Sequence, residues 1–225
     1  MDDADASGLG HRIQGEPEFD AAFCTRLNDL FVWRRDVRRF RSDPLPQGTL
    51  ERLLAVACLA PSVGLSQPWR FVIVDDPQRR QAVLNNFLAC NAEALGAYTG
   101  DAAQRYASLK LAGLQEAPCH LAVFTDHATD LGAGLGRRTM PEMADYSTVS
   151  AIATLWLAAR AEGIGLGWVS ILDPHQVADA LDVPAAWRLI GYLCIGYPMF
   201  TDDTPELERA GWERRRTCRD HILQR

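Results

Sequence analysis

The chain is expected to form an α+β or α/β domain, with one sheet and flanking helices. Two observations lead there. Segments with apolar residues at helical spacing alternate with short β-branched runs such as RFVIVDD (70–76) and HLAVFTD (120–126). The 225 residues are 48% hydrophobic and 23% charged, enough apolar chain to bury a core, and no internal repeat or low-complexity stretch breaks the order.

Taken in order, residues 1–16 are expected to be a flexible arm, and 17–225 a single domain. Residues 18–35 place Phe19, Phe23, Leu27, Leu30 and Phe31 near helical spacing. DPLPQG (43–48) is a turn. Residues 49–60 repeat Leu50, Leu53, Leu54 and Ala57 and form a helix, with Thr49 near its cap and Pro61 at its end. A strand (70–76) follows, then a helix (78–95) and a weaker helix (102–117) ending before Pro118. HLAVFTD is the second strand. The Gly-rich, aperiodic 130–143 is a loop. Residues 145–163 are apolar on several sides and read as a buried helix that could also meet another helix across a homodimer. GLGWVSIL (165–172) is a strand, HQVADALDV (175–183) a short helix, and RLIGYLCIGYP (188–198) the last core strand.

Composition removes several function classes. The net charge of −6 disfavours a nucleic-acid binder. No apolar run approaches the roughly 18 residues of a membrane helix. The acidic start MDDADASGLG lacks the regions of a signal peptide, so the protein is expected to be cytoplasmic. The cysteines form no C-x-x-C pair and the five histidines show no zinc spacing, so no metal is expected. Among 23 basic residues there is a single lysine, Lys110.

Three segments carry candidate chemistry. Arg34-Arg35-Asp36-Val37-Arg38-Arg39 packs guanidinium groups that suit a phosphate, and equally a solvated helix C-terminus. Asp36 in its midst is either an ion-pair partner or an anionic group aimed at a ligand. Ala60-Pro61-Ser62-Val63-Gly64-Leu65-Ser66-Gln67-Pro68-Trp69 joins a helix to a strand, and Ser62 and Gln67 supply short donors and acceptors. Gly163-Ile164-Gly165-Leu166-Gly167-Trp168-Val169-Ser170 lets a ligand or another chain approach the backbone, but its order is wrong for a dinucleotide fingerprint.

Together these segments resemble the FMN-dependent nitroreductase superfamily over roughly residues 20–218. The resemblance implies an α+β fold with a central, mostly antiparallel sheet flanked by helices, and a homodimer with two FMN sites at its interface. It assigns Arg34, Arg35, Val37 and Arg38 to FMN, with Arg215 of the tail for the phosphate. It likewise assigns Ser62, Gln67, Gly165, Gly167 and Lys110 to flavin contact. Two departures narrow it: Asp36 stands where serine is usual, and Leu65 where asparagine is usual. R-R-D-V-R, S-L-K-L and G-x-G-x-G-W-V-S are instead similar to the branch that consumes FMN. That resemblance implies O2-dependent fragmentation of reduced FMN to 5,6-dimethylbenzimidazole, the lower ligand of vitamin B12, and erythrose 4-phosphate. It makes Asp36 and Ser170 the catalytic pair and a separate flavin reductase the supplier. Leu65 would keep its side of the site dry, and residues 85–105 and 130–143 are candidate lids. Two alternatives stay open: an NAD(P)H-dependent nitro- or quinone reductase, and a non-catalytic flavin carrier.

Overall fold

The computed structural model describes residues 15–225. The expected arm therefore lies outside the described residues, save for Gly15 and Glu16. Helix α1 (Ala21–Trp33) starts where Asp20 accepts the Phe23 N–H at 2.6 Å, and ends as Arg34 turns extended. None of its residues is buried. α2 (Thr49–Ala57) starts one residue after the left-handed Gly48, so Thr49 is inside the helix rather than its cap. α3 (Pro77–Gly96) and α6 (Pro174–Leu181) each open on a proline capped by the preceding aspartate, which supplies the first turn with an acceptor. α5 (Met143–Ala161) runs through the core and buries Ala151, Ile152, Leu155 and Ala159. Among the described residues, no helix is long and apolar enough to cross a membrane.

The sheet has the order β1-β2-β4-β3, with β1 Trp69–Ile73, β2 Cys119–Asp126, β3 Gly165–Val169 and β4 Trp187–Gly196. Every pairing is antiparallel. Because strand side chains alternate, β2 sends Ala122 and Phe124 to one face, Leu121 and Val123 to the other. The first face meets Val83 and Phe87 of α3 and Val177 of α6. The second meets Leu53 of α2 and Ile152 and Leu155 of α5. With both faces covered, β2 and β4 read as continuous apolar runs.

Several expected elements come out shorter, among them the first strand, which ends at Ile73 rather than at residue 76. The helix expected over 102–117 stops as α4 (Gly100–Ser108). Phe40 lies where a Cβ on Gly113 would go, and Arg38 takes the Lys110 carbonyl at 3.1 Å, so 109–118 is held by tertiary contacts in a non-helical course. The strand expected over 165–172 ends at Val169, leaving Ser170 exposed just beyond it. A single 3-10 turn (131–134) interrupts the expected loop over 130–143.

Candidate active site

The segment after α1 runs along the open edge of β3. The Val37 N–H donates to the Leu166 carbonyl at 3.1 Å, and the Trp168 N–H donates to Asp36 Oδ1 at 2.9 Å. This close docking needs glycine. A Cβ on Gly165 would lie 2.8 Å from Val37 Cγ2, and one on Gly167 would strike the Val37 carbonyl. The openness expected at these glycines is thus taken up by the chain's own 36–38 segment. Gly191 on β4 leaves the room occupied by the Trp168 indole.

Charges concentrate at this corner. Arg38 Nε binds Asp36 Oδ2 at 2.8 Å, with Arg38 well buried and the Asp36 side chain 31% exposed. The same guanidinium donates to the Lys110 carbonyl, and the Lys110 ammonium pairs with Glu116. Arg34 stacks over the Trp156 ring, 4.6 Å from its centroid, and the Trp156 indole N–H donates to the Arg35 carbonyl at 3.2 Å. Arg35 spends its donors on carbonyls, those of Asp203, Val32 and Arg34. Arg39 pairs with Glu206. Burial, and next the Arg215 guanidinium, push Arg34 and Arg35 below the usual arginine range. Asp36 offsets this in part at Arg34, as Asp203 and Asp202 do at Arg35. Three cations therefore crowd one place, and an anion would relieve them.

The structure brings together Arg34, Arg35, Asp36, Val37, Arg38, Gly165, Gly167, Lys110 and Arg215. Ser170 lies two residues beyond the Trp168 N–H that binds Asp36, about 7 Å along the chain. A recess at this corner takes in Arg35, Asp36, Val37, Arg38 and Gly165, with Trp33 and Trp156 among its walls; Arg34, Gly167, Lys110, Ser170 and Arg215 do not line it.

Ser62 and Gln67 lie elsewhere. Gln67 precedes Trp69, which faces Thr125 and, across β2, Arg188. Gly165 faces Gly196 at the other end of β4. By strand geometry the two corners are on the order of 25 Å apart, so one chain does not wrap both around one flavin. Within this loop Ser62 Oγ accepts the Gln67 N–H at 3.1 Å, and Leu65 and Gln67 take left-handed φ of 53° and 41°. Leu65 is 76% exposed and does not line a closed pocket within this chain.

Sequence reasoning missed Trp156, which it treated as helix packing, and Glu116, which it placed inside a helix. It also missed Trp212, which packs edge-on against Tyr98 at 5.6 Å and Tyr106 at 6.1 Å and so ties the tail to α4. A lone tryptophan or glutamate outside a motif carries no spacing signal.

Residues 31–197, from the end of α1 to just past β4, match the nitroreductase family. The chain belongs to the nitroreductase family. Its antiparallel sheet with flanking helices is that nitroreductase fold, as expected. A 5,6-dimethylbenzimidazole synthase of Rhodospirillum rubrum is 58% identical over 200 residues, covering 89% of this chain and 95% of that one. One of Rhodobacter capsulatus is 51% identical over 195 residues, covering 87% and 94%. Iodotyrosine deiodinase, solved with FMN and 3-iodo-L-tyrosine, superposes with a TM-score of 0.64 at 27% identity, covering 78% and 91%. This nitroreductase-family chain is an enzyme, similar over nearly its whole length to those synthases.

Proposed function

We propose that the enzyme fragments reduced FMN with O2, releasing 5,6-dimethylbenzimidazole and erythrose 4-phosphate. One observation supports the synthase reading: two relatives named 5,6-dimethylbenzimidazole synthase match at 58% and 51% over nearly their full length. The site is compatible with it. Reduced FMN is the substrate and supplies both electrons and the carbon skeleton. Arg34 and Arg215 would hold its phosphate, since their crowding calls for an anion and Arg35 is already tied to carbonyls. Lys110 would face the electron-rich edge of the reduced ring.

Asp36 would be the catalytic carboxylate. Its two oxygens are steered by the Trp168 N–H and by Arg38, which leaves its partly exposed lone pairs facing the recess. There it can accept or orient one proton. Ser170 would donate a hydrogen bond to the ring or ribityl chain. Gly165 and Gly167 would act by seating Val37.

A homodimer belongs to the same reading. Ser62 and Gln67 are too far from the arginines to share a flavin within one chain. Helix α1 also leaves Phe23, Phe31, Val32 and Trp33 exposed, as Tyr146 and Val149 are on α5. A second copy would cover these faces and bring its Ser62 and Gln67 to the arginine corner. A separate flavin reductase would supply the reduced FMN. A cytoplasmic setting fits six cysteines of which none is disulfide-bonded.

The test is to photoreduce FMN without oxygen, add the protein, admit air and analyse the products by chromatography with mass detection. Loss of FMN with a new peak at the mass and retention of 5,6-dimethylbenzimidazole is expected. Full return of oxidised FMN overturns the proposal.

A further inference from the structure

Glu116 belongs to no motif. It lies in the non-helical segment between α4 and β2. Its Oε1 pairs with the Lys110 ammonium. Its Oε2 is buried and has no hydrogen-bond partner among the described residues. The Lys110 carbonyl receives Arg38 at 3.1 Å, and Arg38 binds Asp36 at 2.8 Å. Two ion pairs of opposite order, Asp36–Arg38 and Glu116–Lys110, are thereby joined at one carbonyl.

An ammonium favours a ligand most in the ligand's more negative state, and a paired carboxylate diminishes that preference. Lys110 and Glu116 are 29% and 37% exposed in their side chains, so the pair is partly screened. We propose that Glu116 acts through Lys110: its charge, paired with the ammonium, limits how strongly the site prefers reduced over oxidised FMN. This rests on the flavin-binding reading above.

The readout is the affinity ratio for photoreduced against oxidised FMN, measured without oxygen so that nothing turns over. Lys110→Met should lower the ratio. Glu116→Gln should raise it about two- to fivefold, the scale of a partly exposed ion pair. Glu116→Asp, which keeps the charge, should stay near the unaltered protein. Lys110→Met/Glu116→Gln together should match Lys110→Met alone.

A Glu116→Gln ratio that is unchanged or lower overturns the inference, because loss of mere scaffolding would displace the ammonium and lower it. A double variant above Lys110→Met also overturns it, by showing that Glu116 acts on the flavin directly. If neither FMN state binds the unaltered protein, the flavin reading itself fails. If both bind but Lys110→Met leaves the ratio unchanged, the inference falls and the rest of the site stands.

Discussion

Asp36 and Trp168 are 132 positions apart, and the backbone N–H of one donates to the carboxylate of the other at 2.9 Å. The bond joins the arginine segment to the glycine strand. It also saturates an edge N–H that β3 would otherwise leave open. One oxygen of Asp36 therefore anchors the segment, and the other faces Arg38.

Asp36→Asn keeps an oxygen for that N–H but removes the charge. Binding of FMN should change by no more than a few-fold. Benzimidazole formation should fall by at least about 100-fold, the usual scale for loss of an acid–base group. The initial rate of benzimidazole formation from photoreduced FMN in air checks it, and an unchanged rate would favour a different role for the carboxylate.

Arg215→Ala should weaken FMN binding roughly tenfold or more, the value of a charge-assisted hydrogen bond, and leave riboflavin binding unchanged. Riboflavin lacks the phosphate, so titrating both ligands separates a lost anion contact from a disturbed fold.

Gly167→Ala drives a Cβ into the Val37 carbonyl. It should destabilise the protein by about 1–3 kcal/mol and weaken FMN binding, because the 36–38 segment must move. Gly96→Ala, with open space around the new methyl at the end of α3, should be neutral or stabilising. Urea unfolding of both variants gives the comparison.

His120 is 2% exposed and bonds the Tyr192 hydroxyl at 3.0 Å. Burial, and then Arg80, bring it down from 6.5 to about 4. Its folded value is lower than its unfolded one, so the unfolded chain binds the extra proton between the two. The histidine's contribution is intact above about pH 6.5 and is lost as pH falls towards 4, by up to about 3 kcal/mol. Urea midpoints at pH 7 and pH 4.5 measure the fall, and a variant without His120 should show a smaller one.

Leu65 holds a left-handed φ of 53° that costs a branched residue but suits asparagine. Leu65→Asn should add about 1 kcal/mol of stability. If Leu65 keeps water from the flavin of a dimer, the same variant should release more hydrogen peroxide in air. Unchanged peroxide release would show that its apolar side chain has no part in excluding water.

Much of this was legible locally. All four strands and the long helices declared themselves, the strands as short β-branched or continuous apolar runs and the helices through helical spacing, because apolar period follows directly from backbone geometry. The arginine cluster suits an anion by residue type; the flavin enters only through the resemblance of the three motifs, in order, to one family. Helix 102–117 was misjudged because Phe40 and Arg38, more than 60 positions away, hold its second half. The glycines at 165 and 167 signalled close approach without saying by what; Val37 answers that. Folding alone decided that Arg35 is tied to carbonyls while Arg34 lies on Trp156, and that Glu116 faces Lys110. It also placed Ser62 and Gln67 at the far corner of the sheet. Residue type and spacing record what a segment can bind and which way its side chains alternate. They do not record which distant segment arrives to use that capacity, since such pairings follow from packing the whole chain.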